Sequence, residues 1–141
     1  MSNDASIKET LENAGIEIYR STADEVHVAE RVRLHIMDSG VRVLAGGELR
    51  VRFTARSQRS DFPNADATTL LARVREGVGA LAVERGYEET ETSVREVKDP
   101  VDDARILDVW HEVVYEKATD PERLVDEVRW ALDVEKYVSV D

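Results

Sequence analysis

The residues of this chain best suited to catalysis or metal binding are three histidines and two loop serines. His27, His35 and His111 are scattered along the sequence, and no two of them have the spacing of paired metal ligands. Ser57 and Ser60 lie in a polar stretch that has neither the G-x-S-x-G signature nor an obvious neighbouring base. Neither set therefore predicts a catalytic or metal site.

Two other stretches have the composition of ligand-binding loops. Asp99, Asp102 and Asp103 form an acidic turn that is either a cation site or, as is usual for carboxylates in turns, solvated. Gly46-Gly47 is followed by a predicted strand, whereas a phosphate-binding loop needs a helix N-terminus. The chain has no cysteine, which excludes disulfides, thiolate metal sites and a cysteine nucleophile. The sequence predicts a protein that is not an enzyme and has no cofactor or metal.

Arginine is the charged residue type that is concentrated in one region. Residues 31–59 carry seven arginines and two acids (+5), against −5 for residues 1–30 and −11 for residues 60–141, which gives the total of −11. In the predicted strand registers one sheet face carries Arg31, Arg33, His35, Arg42, Arg50, Arg52 and Arg56. This face is either an ordinary solvated face of an antiparallel sheet or, since like charges on adjacent strands repel, a subunit interface with an anionic partner. As an interface, it predicts that glutamate at Arg50 and Arg52 blocks assembly but leaves the monomer folded.

The elements that position these arginines are read from hydrophobic periodicity. A central strand alternates apolar and polar residues over 49–56, with Val51 and Phe53 on the core face. Before it, alternating apolar residues over 26–37 favour a long strand over a helix, followed by a hairpin turn at 38–40 and a return strand at 41–44. A short capped helix that ends at Gly15 begins the chain.

A polar loop and an amphipathic helix follow the central strand. The predicted helix begins at Asn64 or Asp66, ends at Gly86, and buries one stripe: Leu71, Val74, Val78 and Leu81. The loop before it holds Arg59, Phe62 and Pro63, which we interpret either as a contact to an axial neighbour or as a helix-entry loop in which Phe62 is a hydrophobic staple.

The last third of the chain predicts two strands and a helix. Residues 87–97 and 106–117 read as strands, and Thr119 to Glu122 combines an N-cap, an early proline and a capping box for a helix over 119–136. Residues 137–141 form a short tail. The predicted fold class is α+β: a mainly antiparallel sheet, one central helix packed on it, helices at both ends, and a single domain over 1–141.

Composition sets the expected environment. The chain has 30 acidic and 19 basic residues, only four of which are lysine, as is typical of proteins from high-salt cytoplasm, although GC-rich coding gives a similar arginine bias. The polar start has no apolar signal region, and no apolar run reaches the roughly 18 residues of a membrane span. We expect synthesis in the cytoplasm and no membrane partner. Without stacking aromatics beside the arginines, sequence-specific nucleic-acid binding is not expected.

The order of elements resembles the tail-completion or tail-terminator proteins of long-tailed phages and archaeal tailed viruses. The resemblance covers roughly residues 30–117, and its residues are V-R-V-L-A-G-G-E-L-R-V-R-F-T-A-R-S, A-D-A-T-T-L-L-A-R-V-R-E-G-V-G-A-L and I-L-D-V-W-H-E-V-V-Y-E. It implies a virion protein of the head–tail neck, a hexameric ring between the tail-tube protein and a neck or adaptor protein, with genomic DNA passing through. The helix predicted at 119–136 departs from this pattern, so an adaptor or stopper position stays open.

A second resemblance gives an alternative from another class. The same order of helices and strands is similar to small acidic secretion-chaperone-like domains, which are dimeric and bind an extended client segment. Such a binding module needs an exposed apolar patch, whereas the predicted outer sheet face is rich in arginine. A solution mass separates the two classes, because one is a ring and the other a dimer.

Overall fold

The structure is a computed structural model that describes residues 3–137, with side chains from residue 6 onwards. The helices in this range are α1 (Asn3–Asn13), α2 (Ala67–Glu76), α3 (Val78–Arg85) and α4 (Leu124–Asp133). The strands are β1 (Ile18–Ser21), β2 (Glu25–Val32), β3 (His35–Leu44), β4 (Arg50–Gln58), β5 (Glu88–Lys98) and β6 (Ile106–Ala118). They form one sheet in the order β1-β2-β3-β4-β6-β5, with antiparallel pairing. The predicted α+β fold class is confirmed.

Contacts divide the chain into two compact units. Unit 1 is Met1–Phe53 with Glu116–Val134, and unit 2 is Thr54–Tyr115 with Glu135–Asp141. In unit 1, helices α1 and α4 cover a core of strand and helix residues that includes Leu11, Val26, Val43, Phe53 and Val128, each fully buried. The single domain over 1–141 stays a prediction, and each unit is described by itself.

Unit 2 has its own buried cluster beneath α2 and α3. Leu70 and Val74 of α2, Ala82 of α3, and Val113 and Tyr115 of β6 are almost completely buried. The predicted N-cap Asp66 is confirmed, since its side chain accepts a hydrogen bond from Thr69 N at 2.8 Å. The buried side chains and this N-cap hydrogen bond hold the two short helices in unit 2 without any cross-link.

The predicted central helix is wrong in its continuity. Gly77 adopts a non-helical conformation with φ −92° and ψ −105°, and it separates α2 from α3. Because of this break, α3 does not continue the apolar stripe of α2, and it buries Ala82 while Leu81 is 54% exposed. Leu71 is only half-buried, whereas Leu70 takes the core position. The predicted stop at Gly86 is confirmed by its left-handed φ of 105°.

The predicted hairpin turn at residues 38–40 is also wrong. Strand β2 ends at Val32 and β3 begins at His35, so the turn is Arg33-Leu34, with Arg33 at φ 59°. Asp38 is paired with Ala29 inside the β2–β3 ladder. The predicted long strand over 26–37 therefore contains the turn itself, and Arg33 lies in that turn rather than on the arginine-bearing sheet face.

Turn-forming residues at 38–40 serve a bulge in β3 instead. The ladder pairs His27 with Arg42 and then Ala29 with Asp38, which leaves extra residues on the β3 side. Gly40 has φ 82°, and its amide donates to Asp38 Oδ1 at 2.9 Å. Ser39 Oγ donates to the Val28 carbonyl at 2.6 Å. Asx-type hydrogen bonding and a left-handed glycine are shared by turns and bulges, which explains the error.

The last helix begins later than its capping signal predicts. Residues 121–123 form a turn, and α4 spans Leu124–Asp133 rather than 119–136. Thr119 N donates to the Leu49 carbonyl at 2.9 Å, and Asp120 Oδ1 accepts from Arg123 N at 3.0 Å. The cap therefore closes the turn that leads into the helix. Most of the predicted tail lies outside the described residues; its first residue, Tyr137, bridges to Arg56 in parallel orientation.

No helix within residues 3–137 is long and apolar enough to cross a membrane.

Candidate functional site

Ser60, His27 and Asp99 make local polar contacts, whereas the buried Ser57 Oγ and His111 Nδ1 have no hydrogen-bond partner among the described residues. Ser60 Oγ donates to Asp108 Oδ2 at 2.7 Å. His27 Nε2 lies 3.3 Å from Glu25 Oε2. In the acidic turn, Asp99 Oδ1 accepts from Val101 N at 2.8 Å, so this carboxylate holds the turn backbone. Within residues 3–137 no group of three or more His, Asp or Glu side chains is placed to hold a metal ion.

Three arginines of the predicted sheet face, Arg42, Arg50 and Arg52, have carboxylate partners within unit 1. Glu116 accepts from Arg50 Nε at 2.9 Å and from Arg52 Nε and Nη2 at 3.0 and 2.8 Å. Arg42 forms a bidentate pair with Asp38, at 2.6 and 2.8 Å. Arg42 and Arg52 face each other across the β3–β4 ladder. The like charges that the sequence places on adjacent strands are thus compensated inside the subunit.

The remaining arginines of the proposed interface differ in their surroundings. Arg31 pairs with Glu17, and both side chains are well exposed. In unit 2, the Arg56 guanidinium carbon lies 3.6 Å from the Trp110 ring centroid and 4.3 Å from that of Tyr137. Arg33 is exposed and forms no ion pair with any residue in the described range. Arg33 is therefore the member of the set that is most available to a partner.

Sequence reasoning missed the carboxylate that organises this face. Glu116 lies 66 residues from Arg50 in the chain, and only 8% of it is exposed. The available signal was a glutamate next to the apolar residues Val114 and Tyr115 of the late strand, since a buried carboxylate needs a cationic partner. Trp110, which stacks on Arg56, was seen only as an apolar residue of the same strand.

The Glu116 ion pairs predict a pH dependence. Burial raises the pKa of this carboxyl, but the hydrogen bonds and charges of Arg52 and Arg50 together outweigh burial and hold the pKa below its ordinary 4.5. The stabilisation is therefore complete above the unfolded-state pKa and is lost as pH falls through the lowered folded-state pKa.

Glu116→Gln keeps the shape of the side chain and removes the charge. Urea unfolding should show wild type more stable than this variant by a constant margin from about pH 7 to 5, and the margin should shrink below about pH 4. A difference in unfolding free energy between wild type and Glu116→Gln that is unchanged at about pH 3 would contradict the ion-pair assignment.

The most unusual surface of unit 1 is the end of the β2–β3 hairpin. We call residues 31–37 the hairpin tip; all seven are exposed. Its apolar side chains are Val32, Leu34, Ile36 and Met37, with exposed fractions of 44%, 93%, 49% and 49%. Arg31, Arg33 and His35 alternate with them. The tip is therefore both apolar and cationic on an otherwise strongly acidic chain.

The predicted axial loop lies in unit 2 and has its own packing. The Arg73 guanidinium carbon of α2 is 4.3 Å from the Phe62 ring centroid. Arg59 N donates to the Val109 carbonyl at 2.9 Å. Pro63 is exposed at the mouth of a shallow groove that Phe62 also lines. Phe62 contacts α2 in a way that suits a helix-entry loop, and its contact to an axial neighbour stays a prediction.

Comparison with protein families, with curated proteins and with solved structures found no match to this chain.

Proposed function

We propose that the protein is a non-enzymatic structural subunit of a virion, a ring-forming tail terminator that joins the tail tube to the head–tail neck. The observation that supports this best is the hairpin tip, with four large exposed apolar side chains in six positions. The β2–β3 register places Val32 and Met37 on one face of the hairpin and Ile36 on the other, with Leu34 in the turn, so both faces of the tip expose apolar side chains. Exposed apolar surface of this kind is the usual mark of a contact with another protein. A subunit that functions by assembly needs such contacts and needs no catalytic centre.

A second surface supports assembly from the other unit. Strand β5 is the last strand in the sheet order, and its residues are exposed except at one position. A free strand edge offers unpaired backbone groups to another chain, and its charged side chains keep it soluble until pairing. A subunit inside a ring contacts two neighbours through two different surfaces, because a head-to-tail interface is heterologous.

The charge of the chain fits a conduit for DNA. With a net charge of −11, a ring of these subunits repels the phosphate backbone. Genomic DNA then passes through the centre without sequence-specific binding. The partners in this role are identical subunits, which form a hexameric ring, together with the tail-tube protein and a neck or adaptor protein. The protein acts in the virion after synthesis in the host cytoplasm.

A secretion-chaperone-like binding module is the second candidate function. It is favoured by exposed apolar residues beyond the hairpin tip, namely Leu81 and Val83 on α3 at 54% and 61% exposure. These two side chains point to different sides of α3, since residues two apart on a helix do not share a face, and each could contact an extended client segment. This candidate implies a stable dimer rather than a ring.

The experiment that separates the two candidates is solution mass by light scattering, in low salt and in multimolar KCl. At about 1 M salt the Debye length falls to about 3 Å, so repulsion between the acidic subunits is screened. We expect a mass that rises with salt to that of a closed hexamer. A stable dimer at both salt concentrations would contradict the ring and support the binding module.

A further inference from the structure

Unit 1 carries an apolar groove in addition to the hairpin tip. The groove has a volume of about 190 Å³; Ile7, Ala45, Leu49 and Leu124 supply its apolar lining, with Thr10 and Gly47 beside them. An apolar cavity of about 150 Å³ accepts a benzene ring. The groove is therefore large enough for the branched end of a leucine side chain.

We propose that the hairpin tip of one copy docks in this groove of the next copy, with Leu34 as the inserted side chain. This inference rests on the proposed ring and names the contact that builds it. Leu34 is 93% exposed, which makes it the most exposed apolar residue of the tip. Insertion would remove it from water and fill an apolar groove in one step.

The hairpin tip cannot reach the groove of its own copy. Leu34 precedes the first residue of β3, and Ala45 follows its last residue. Ten residues of extended strand separate them by about 30 Å. A tip and a groove at opposite ends of one strand make a head-to-tail contact, which repeats from copy to copy until a ring closes.

Charge supports a second copy as the occupant. Arg33 on the tip has no carboxylate partner in the described range. Groove residues Thr10, Gly47 and Pro121 are each adjacent in sequence to exposed acids: Glu9, Glu48, Asp120 and Glu122.

Two exposed cations, Lys8 and Arg123, are adjacent in sequence to the groove residues Ile7 and Leu124, and Arg123 lies 3.9 Å from Asp120. The four exposed acids adjacent in sequence to groove residues outnumber these two bases. A cationic tip therefore meets a surface of opposite sign, which favours this orientation of docking over tip against tip.

Absence of cysteine in the chain makes a cross-linking test possible. Leu34→Cys changes an exposed side chain, and a Cβ at Gly47 meets no atom within 4 Å, so Gly47→Cys should fold. The two single variants are mixed under the salt conditions that give the largest assembly and are then oxidised. The matched control replaces L34C by V101C, because Val101 is 96% exposed and lies in unit 2.

We expect the L34C and G47C mixture to give a disulfide-linked dimer in at least about tenfold greater yield than the V101C and G47C mixture, because docking raises the effective thiol concentration. The double variant L34C/G47C should give a ladder of linked copies that stops at the ring size. A ring-sized mass in light scattering without the L34C–G47C link would overturn this contact but would still support the ring. A monomer or an unlinked dimer in all salts would overturn both, and a ladder without an upper limit would support the contact and exclude closure.

Discussion

Phe53→Ala is expected to lower the free energy of unfolding by about 3–5 kcal/mol, a large share of the roughly 5–15 kcal/mol of a typical domain. Phe53 is fully buried in unit 1, and its ring packs edge-to-face on Trp130 with centroids 5.9 Å apart. The substitution removes both the buried surface and the aromatic contact and leaves a cavity.

Urea denaturation followed by circular dichroism measures this loss. Val101→Ala is the control, since Val101 is 96% exposed and its truncation should change stability by less than about 0.5 kcal/mol. A loss below about 1 kcal/mol for Phe53→Ala would show that the position is not part of a packed core.

The double variant Arg50→Glu/Arg52→Glu is expected to destabilise unit 1 strongly. Both guanidinium groups bond to Glu116, whose side chain is 11% exposed, and Arg52 also lies 4.0 Å from Glu25. Reversal of both charges would place four carboxylates together around a buried position. We expect the free energy of unfolding to fall by about 2–3 kcal/mol, less than the full cost of breaking a buried ion pair, because the two arginine side chains are 29% and 37% exposed.

Arg33→Glu provides the matched charge reversal on the same unit. Arg33 is exposed in the hairpin turn, so this change should leave the unfolding midpoint nearly unchanged while it weakens assembly. The interpretation of the arginine face as a subunit interface predicts instead that the Arg50 and Arg52 double variant is a folded monomer. A folded, unassembled double variant would restore that prediction and assign these arginines to the subunit interface.

The sequence correctly predicts those elements in which the residues that look apolar in the pattern are also the ones that the fold buries. Val26, Val28, Val51 and Phe53 alternate in sequence and are fully buried in the sheet. The capping residue Asp66 and the terminal Gly86 were recognised because their geometry is local. Patterns of this kind depend on neighbours a few residues away, so they can be read from one chain.

Errors arose where a local signal has two structural uses or where the partner is distant. The same Asp-Ser-Gly chemistry serves a turn or a bulge, whereas Arg33-Leu34 has no turn-forming residue type. Gly77 is tolerated inside many helices, but here it breaks one. The pairing of Arg50 with Glu116 depends on how β4 and β6 meet, which no local pattern encodes.

The hairpin tip shows the same limit for the candidate site. Its apolar residues alternate as core residues do, and this pattern predicts that they belong to one long strand with a buried face. The chain instead turns at Arg33-Leu34, which places Val32 and Ile36 on opposite faces of the hairpin, and Val32, Leu34 and Ile36 are all exposed. Periodicity identifies the strand, but only tertiary packing decides whether a second surface covers its apolar face.

The most direct test of the central claim is electron microscopy of the purified protein in multimolar salt, with particle images averaged by class. A tail terminator that assembles through the hairpin tip should appear as closed six-fold rings with a central hole, and Leu34→Asp should abolish them while the chain stays folded. Compact dimers without a hole, or rings that persist unchanged in Leu34→Asp, would contradict this assembly.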